Sequence, residues 1–381
     1  MTVLSVQKHT VTLAAAASSG TANLTGSPTL ANCVPFITTR VTAVSSQNDD
    51  EFQDYTVTAD FLTGPDRVRI RNHDADSTRA MVIEVTVVEF DSSVVNVYQG
   101  TAAIDNSQDD VVSIGGTVNL SKAWLYFTYM TEGTADNYRD HAIRGRITST
   151  TQCTFDCSET YGPASAHSID WYVVECQGTE WAVDAVSIQL DAVTTTNTAT
   201  IGSVTTSKAF ILGSHTGSDV GDGDGPDENL VDVKLSNATT VTATRQGHGG
   251  GIIEWSGFVV EFAAGGNENV YRGTLAWSPT ARGTSKTDTI GTAVTIADSM
   301  VHLAGQTGIL GGGHWKRTTD SSNRCPDTFT AWTITGTTEV TLTKMDNDDT
   351  GGETDQDLSW EVIEWDVGGA PAPTRRVMVI S

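Results

Sequence analysis

The chain closes an apolar strand four times on one pattern: Val87-Val88-Glu89-Phe90, Val173-Val174-Glu175-Cys176, Val259-Val260-Glu261-Phe262 and Val362-Ile363-Glu364-Trp365. The four glutamates lie 86, 86 and 103 residues apart. A period that long, held twice without drift, reflects duplication of a whole folding unit rather than a local periodicity. The 381 residues are therefore expected to fold as four copies of one small module in series. Arrays of this kind generally work by presenting surfaces, which favours a binder or a building block over an enzyme.

Other landmarks recur, and the two Ser-Lys-Ala triplets also lie 86 residues apart. Ser113-Ile114-Gly115-Gly116 precedes Ser121-Lys122-Ala123-Trp124-Leu125, and Thr200-Ile201-Gly202-Ser203 precedes Ser207-Lys208-Ala209-Phe210-Ile211. Thr289-Ile290-Gly291 and Ser299-Met300-Val301-His302-Leu303 follow the same plan, and the first repeat diverges most, with Val34-Pro35-Phe36-Ile37. Val97-Tyr98-Gln99-Gly100-Thr101 is echoed by Val270-Tyr271-Arg272-Gly273-Thr274. Thr240-Val241-Thr242-Ala243-Thr244 and Val340-Thr341-Leu342-Thr343 alternate with period two, which turns one side chain in and the next out of a pleated sheet. Thr, Val and Ile suit such a half-buried surface, and no long segment has a helical period. The expectation is an all-β chain of four tandem antiparallel β-sandwiches, each of about six short strands in two facing sheets. The modules are placed at 1–90, 91–177, 178–264 and 265–368. Gly368-Gly369-Ala370-Pro371-Ala372-Pro373 reads as a linker. The strand Arg375-Arg376-Val377-Met378-Val379-Ile380 beyond it is expected to dock on a sheet edge.

A formal charge of −25 opposes binding to nucleic acid or to an anionic membrane. The polar N-terminus does not read as a signal peptide, and the apolar run Leu13 to Ala17 is too short to span a bilayer. Cys33, Cys153, Cys157, Cys176 and Cys325 do not fall at matching places in the repeats, so they read as buried thiols rather than a disulfide framework. The spacing of Cys153 and Cys157 would suit a metal, but no His or Cys pair follows.

Candidate chemistry lies in the segments that differ between repeats, since constant strands with variable loops are the layout of a recognition scaffold. These segments hold Tyr138, Arg139 and His141 in the second repeat and His314, Trp315, Lys316 and Arg317 in the fourth. Trp315 with Lys316 and Arg317 offers a ring face and donors suited to stacking on a sugar and binding its hydroxyls. In the third repeat Asp222, Asp224 and Asp227 alternate on a Gly-rich loop that could wrap Ca²⁺, without the flanking helices or twelfth-position glutamate of a helix–loop–helix site. A solvated acidic turn is the plainer reading, and no cofactor is required. Asp346 to Glu353 form a second acidic loop; a glycan-processing enzyme would take its acid and base from the carboxylates between 346 and 357, but nothing pairs them across a cleft. No nucleophile elbow or phosphate loop is present. The recurrent glutamates are expected to be structural, accepting hydrogen bonds at a module junction.

The closing strands Ile169-Asp170-Trp171-Tyr172-Val173, Ile253-Glu254-Trp255 and Leu358-Ser359-Trp360-Glu361-Val362, with the Thr-rich hairpins, resemble the H-type lectin-like unit of discoidin-type lectins and many phage fibre proteins. The first repeat departs from it, with Ile83-Glu84-Val85 and no Trp. The resemblance implies a six-stranded sandwich that often trimerises; no sugar-contact residue carries over. The whole chain also looks like a structural protein of a tailed-phage virion, a part made in the host cytoplasm without a signal peptide. That implies homo-oligomers (a trimer favoured), other virion proteins and host-surface polysaccharide as partners, and no catalysis. The alternative is a self-assembling capsid cement or filament subunit that binds no sugar.

Overall fold

The computed structural model describes residues 2–15, 17–42, 56–73, 80–104, 108–132, 142–157, 166–218, 230–245, 251–277, 285–305, 314–317, 330–343 and 354–367. Within them the chain is all-β, with short 3-10 turns as the only helical elements. Module 1 contributes β1 (Val3–Leu13), β2 (Ser19–Asn23), β3 (Cys33–Val41), β4 (Thr58–Leu62), β5 (Arg67–Arg71) and β6 (Met81–Phe90). They form a long antiparallel sheet in the order β1-β6-β3 and a short one in the order β2-β5-β4.

The other repeats copy this plan. Module 2 has long strands β7 (Val95–Ile104), β12 (Ala166–Cys176) and β9 (Ala123–Glu132), and short strands β8 (Asp109–Ser113), β11 (Gln152–Asp156) and β10 (Arg144–Ser149). Module 3 has β13 (Trp181–Leu190), β18 (Ile252–Phe262) and β15 (Ala209–Ser218), with β14 (Thr196–Thr200), β17 (Thr240–Thr244) and β16 (Asp232–Asn237). Module 4 has β19 (Asn269–Trp277), β25 (Thr354–Glu364) and β21 (Ser299–Leu303), with β20 (Ser285–Thr289), β24 (Glu339–Thr343) and β23 (Ala331–Gly336). A further strand, β22 (His314–Arg317), also pairs with β25. Thus four sandwich-like modules each join one long and one short sheet.

The short sheets keep the expected alternation: Val241 and Ala243 of β17 are buried, while Thr240, Thr242 and Thr244 face outward. The central long strands of modules 2, 3 and 4 largely lose that alternation. From Ile169 to Cys176, β12 is buried on both faces, one against its own short sheet and the other against neighbouring modules. A strand covered on both sides needs an unbroken apolar run, which is why the repeated endings read Val-Val or Val-Ile.

Those endings converge. The residue after each recurrent glutamate is Phe90, Cys176, Phe262 or Trp365. The second residue of each third long strand is Val34, Trp124, Phe210 or Met300. All eight are buried and belong to one continuous core. Ring centroids lie 5.8 Å apart for Phe90–Trp365, 5.5 Å for Phe262–Trp365, 5.5 Å for Phe210–Phe262 and 6.2 Å for Trp124–Phe210. This aromatic hub is fed by all four modules. Modules 3 and 4 also keep separate cores around Trp255 and Trp360.

The expected string of beads is therefore closed: module 4 packs on module 1. Val3 bridges to Val367, the Thr2 hydroxyl donates to Glu268, and the Trp332 N–H donates to the Thr38 hydroxyl 3.0 Å away. The last contact copies two junctions between consecutive modules. The Ala59 N–H donates to Thr128 and the Gly145 N–H to Ser214, from matching short-sheet strands to matching hydroxyls. At the 3–4 junction the hydroxyl position is Ala304, and Gly305 follows it with φ +69°. A Cβ on Gly305 would lie 2.5 Å from that of Val233, so only glycine fits.

Candidate functional site

The direction of the strands sorts each module into two ends. β3, β9, β15 and β21 start at the hub, and β6, β12, β18 and β25 finish there. Connections from third to fourth strand and from fifth to sixth therefore leave from the opposite end in every module. These connections carry most of the variable segments, so the repeat gathers its least constant sequence at one end.

The recurrent glutamates stand at the hub end. Each accepts a hydrogen bond from one equivalent backbone N–H: Thr29 to Glu89 (2.8 Å), Asn119 to Glu175 (2.6 Å), Thr205 to Glu261 (2.6 Å) and Thr295 to Glu364 (2.7 Å). Thr29, Thr205 and Thr295 are the N-cap residues of 3-10 turns that lead into the third strand, and no side chain of their own caps the turn. The glutamate supplies the missing acceptor. This corrects the expected place at a module junction: the carboxylate ties a turn inside its own module. The junction is crossed instead by the lysines of the Ser-Lys-Ala triplets. Lys122 donates to the Gly178 carbonyl, and Lys208 donates to the carbonyls of Gly266 and Glu268.

The echoed Tyr and Gly have separate tasks. A Cβ on Gly100 would lie 2.5 Å from the ring of Trp171, and one on Gly273 the same distance from Trp360, so each indole lies over a bare backbone on the neighbouring strand. In module 3 the Trp moves two residues to Trp255 and glycine takes its place at Gly257. Tyr271 donates to Glu364, Tyr98 is bonded in the same way to Glu175, and the Tyr98 ring also covers Gly116.

Of the candidate binding residues, His314, Trp315, Lys316 and Arg317 form β22, paired with β25 in the register His314↔Asp357 to Arg317↔Thr354. This corrects the expectation of a loop. β21 and β22 are two halves of the strand that runs unbroken as β9 in module 2, parted by an insertion after Gly305, which also lengthens the fourth repeat. Tyr138, Arg139, His141, Asp222, Asp224, Asp227, the 346–353 loop, Cys325 and the C-terminal strand lie outside the described residues. Cys33, Cys153, Cys157 and Cys176 are buried, and burial pushes the thiols of Cys33 and Cys153 up to about 12. Among the described residues, no three His, Cys, Asp or Glu side chains converge to hold a metal ion, and no helix is long and apolar enough to cross a membrane.

Buried charge collects at the junctions, and composition alone did not point to it. Arg71 of module 1 pairs with Asp170 of module 2 at 2.7 Å, while Asp60 binds Arg69. Burial raises the pKa of Asp170 despite Arg71. Arg144 of module 2 pairs with Asp156 at 2.8 Å and with Glu254 of module 3. At the 3–4 junction Asp232 accepts from the Ser359 N–H and hydroxyl. There Glu361, 1% exposed, meets Arg272 at 3.3 Å and His302 at 3.4 Å and accepts the Ile211 N–H. Burial opposes its charge, but His302, Arg272 and that N–H together hold its pKa below the usual range. Paired charges that face each other across an interface fix which surfaces meet; they do not form an open reactive site. No protein-family model matches the chain, and no curated protein matches it.

Proposed function

We propose that this protein is a non-catalytic structural and recognition component of a virion, of the kind that tailed phages carry as a fibre, spike, collar or head decoration. The variable connections bind a host-surface polysaccharide or another virion protein. One observation carries the reading: the equivalent connections of four modules leave the same end of their sheets, and a shared aromatic core holds the opposite end together. A rigid closed scaffold with diverse loops on one side suits multivalent binding, where several weak contacts add through effective concentration.

The test is binding of the purified protein to an array of bacterial-surface glycans. Binding that disappears in Trp315→Ala supports the reading. A chain that binds nothing, or a variant that binds as well as the wild type, sinks the glycan half of it. A tag on this chain, located by imaging on purified particles, tests the virion half.

A second reading, a cement or filament subunit without sugar binding, draws on the edge strands. β14 is an uncharged, exposed row of Thr and Asn, and β2 likewise carries no charge. Unguarded edges of this kind favour pairing between copies. Concentration-dependent polymerisation without glycan binding would favour it.

A further inference from the structure

We propose that module 4 exchanges between two copies of this chain, each copy's fourth module completing the other's contact with module 1. The partner is a second copy, because the surface on module 1 is already shaped for module 4 and the contact carries no covalent link. It consists of the Val3–Val367 bridge, the Thr2–Glu268 and Trp332–Thr38 hydrogen bonds, and Phe90 against Trp365. Each of these contacts forms equally well within one chain or between two.

Two further observations bear on module 4. Its linker, 263–268, contains two glycines, Gly265 and Gly266, where Gln177–Glu180 ahead of module 3 contains one and Asp91–Val94 ahead of module 2 none. A Cβ at Gly265 would meet nothing within 4 Å, so the linker has one unobstructed residue just ahead of the Gly266 and Glu268 carbonyls that Lys208 holds. Module 4, like module 3, keeps a core of its own, here around Trp332 and Trp360, beside the Val270, Met300, Ile363 and Trp365 it gives to the shared core, so it can leave as a packed unit. Exchange of this kind moves the contacts of module 4 with module 3, as well as those with module 1, to the second copy, and the choice between closed monomer and swapped dimer rests on linker strain and concentration. At low concentration the closed monomer wins, since a flexible linker holds the two surfaces at an effective concentration on the order of millimolar.

Deleting Gly265 and Gly266 shortens the hinge and strains closure within one chain. The expected result is a dimer by light scattering, melting close to the wild-type monomer. Pairing Val3→Cys with Val367→Cys in the shortened chain then reports the connection. A disulfide between chains in the dimer fraction supports exchange; a disulfide within each chain of that fraction overturns it. The wild type guards against a shortened chain that does not fold. Tagged and untagged copies, unfolded together and refolded at near-millimolar concentration, should give mixed dimers. Unmixed monomer at every concentration overturns the proposal, whatever the shortened chain does.

Discussion

The hub and the junctions are built from equivalent positions in the same four modules, yet they differ in what they tolerate. At the hub all eight repeated positions hold buried, uncharged side chains. At the junctions one set of equivalent positions holds Gln99, Tyr172 and Tyr126 in module 2, Ala185, Phe258 and Leu212 in module 3, and Arg272, Glu361 and His302 in module 4. Module 1 has Lys8, Thr86 and Phe36 there. The hub needs only apolar volume, which any module can supply. The junctions need a particular neighbour, because Arg71 and Arg144 find Asp170 and Glu254 only on the next module and lose an ion-pair partner against any other face. The comparison teaches that duplication supplied the closure, while divergence at the junctions set the order of modules around it.

The largest effect that would break this contrast is at the hub. Phe210 touches Trp124, Phe262 and Trp365, from modules 2, 3 and 4. Phe210→Ala should cost about 4 kcal/mol and loosen all four modules together, visible as a loss of cooperativity in denaturant unfolding. If only module 3 loses protection from hydrogen exchange, the hub is not a shared core.

A smaller, pH-dependent effect belongs to the 3–4 junction. The folded pKa of Glu361 lies below its ordinary value of 4.5. Its ionisation therefore stabilises fully above that value, and the gain is lost as pH falls through the folded value. Glu361→Gln should cost about 3 kcal/mol at neutral pH, because Arg272 keeps its charge with only the Thr206 and Ala209 carbonyls and no carboxylate beside it. It should also flatten the acid limb of a stability–pH curve. An unchanged acid limb would mean that Glu361 does not carry the pH dependence of this junction.

How far the sequence announced all this depends on what kind of signal each feature leaves. The module count was legible from four glutamates, and the structure explains their repetition: each holds the same turn. The two-sided burial of β12 and its equivalents was legible as unbroken Val runs. Closure was not legible, because hub positions such as Phe90, Cys176, Phe262 and Trp365 share only apolar character and meet residues far away in the chain. The segment His314–Arg317 of module 4 reads as a loop in the sequence because Gly311, Gly312 and Gly313 stand before it. A four-residue strand is too short for its alternation to overrule that loop signal. Paired junction charges such as Arg71 with Asp170 were hidden for the same reason as the hub, since neither partner lies near the other in sequence.

The smallest effect sharpens the comparison within a single position. Thr38, Thr128 and Ser214 each accept a backbone N–H from the preceding module around the ring, and module 4 has Ala304 there. Thr128→Val keeps the shape and leaves the Ala59 N–H buried without an acceptor, at about 1.5 kcal/mol. Ser214→Ala and Thr38→Val should cost about as much, the last at a junction with no linker at all. Ala304→Ser should gain nothing, because Gly305 and Val233 already fill the space in which the hydroxyl would need a donor. Chemical denaturation of the four variants ranks them directly. Equal losses at Thr38, Thr128 and Ser214 would show that the non-covalent junction is built to the same specification as the linked ones; a near-zero loss at Thr38 alone would mark the 4–1 contact as the weakest part of the ring.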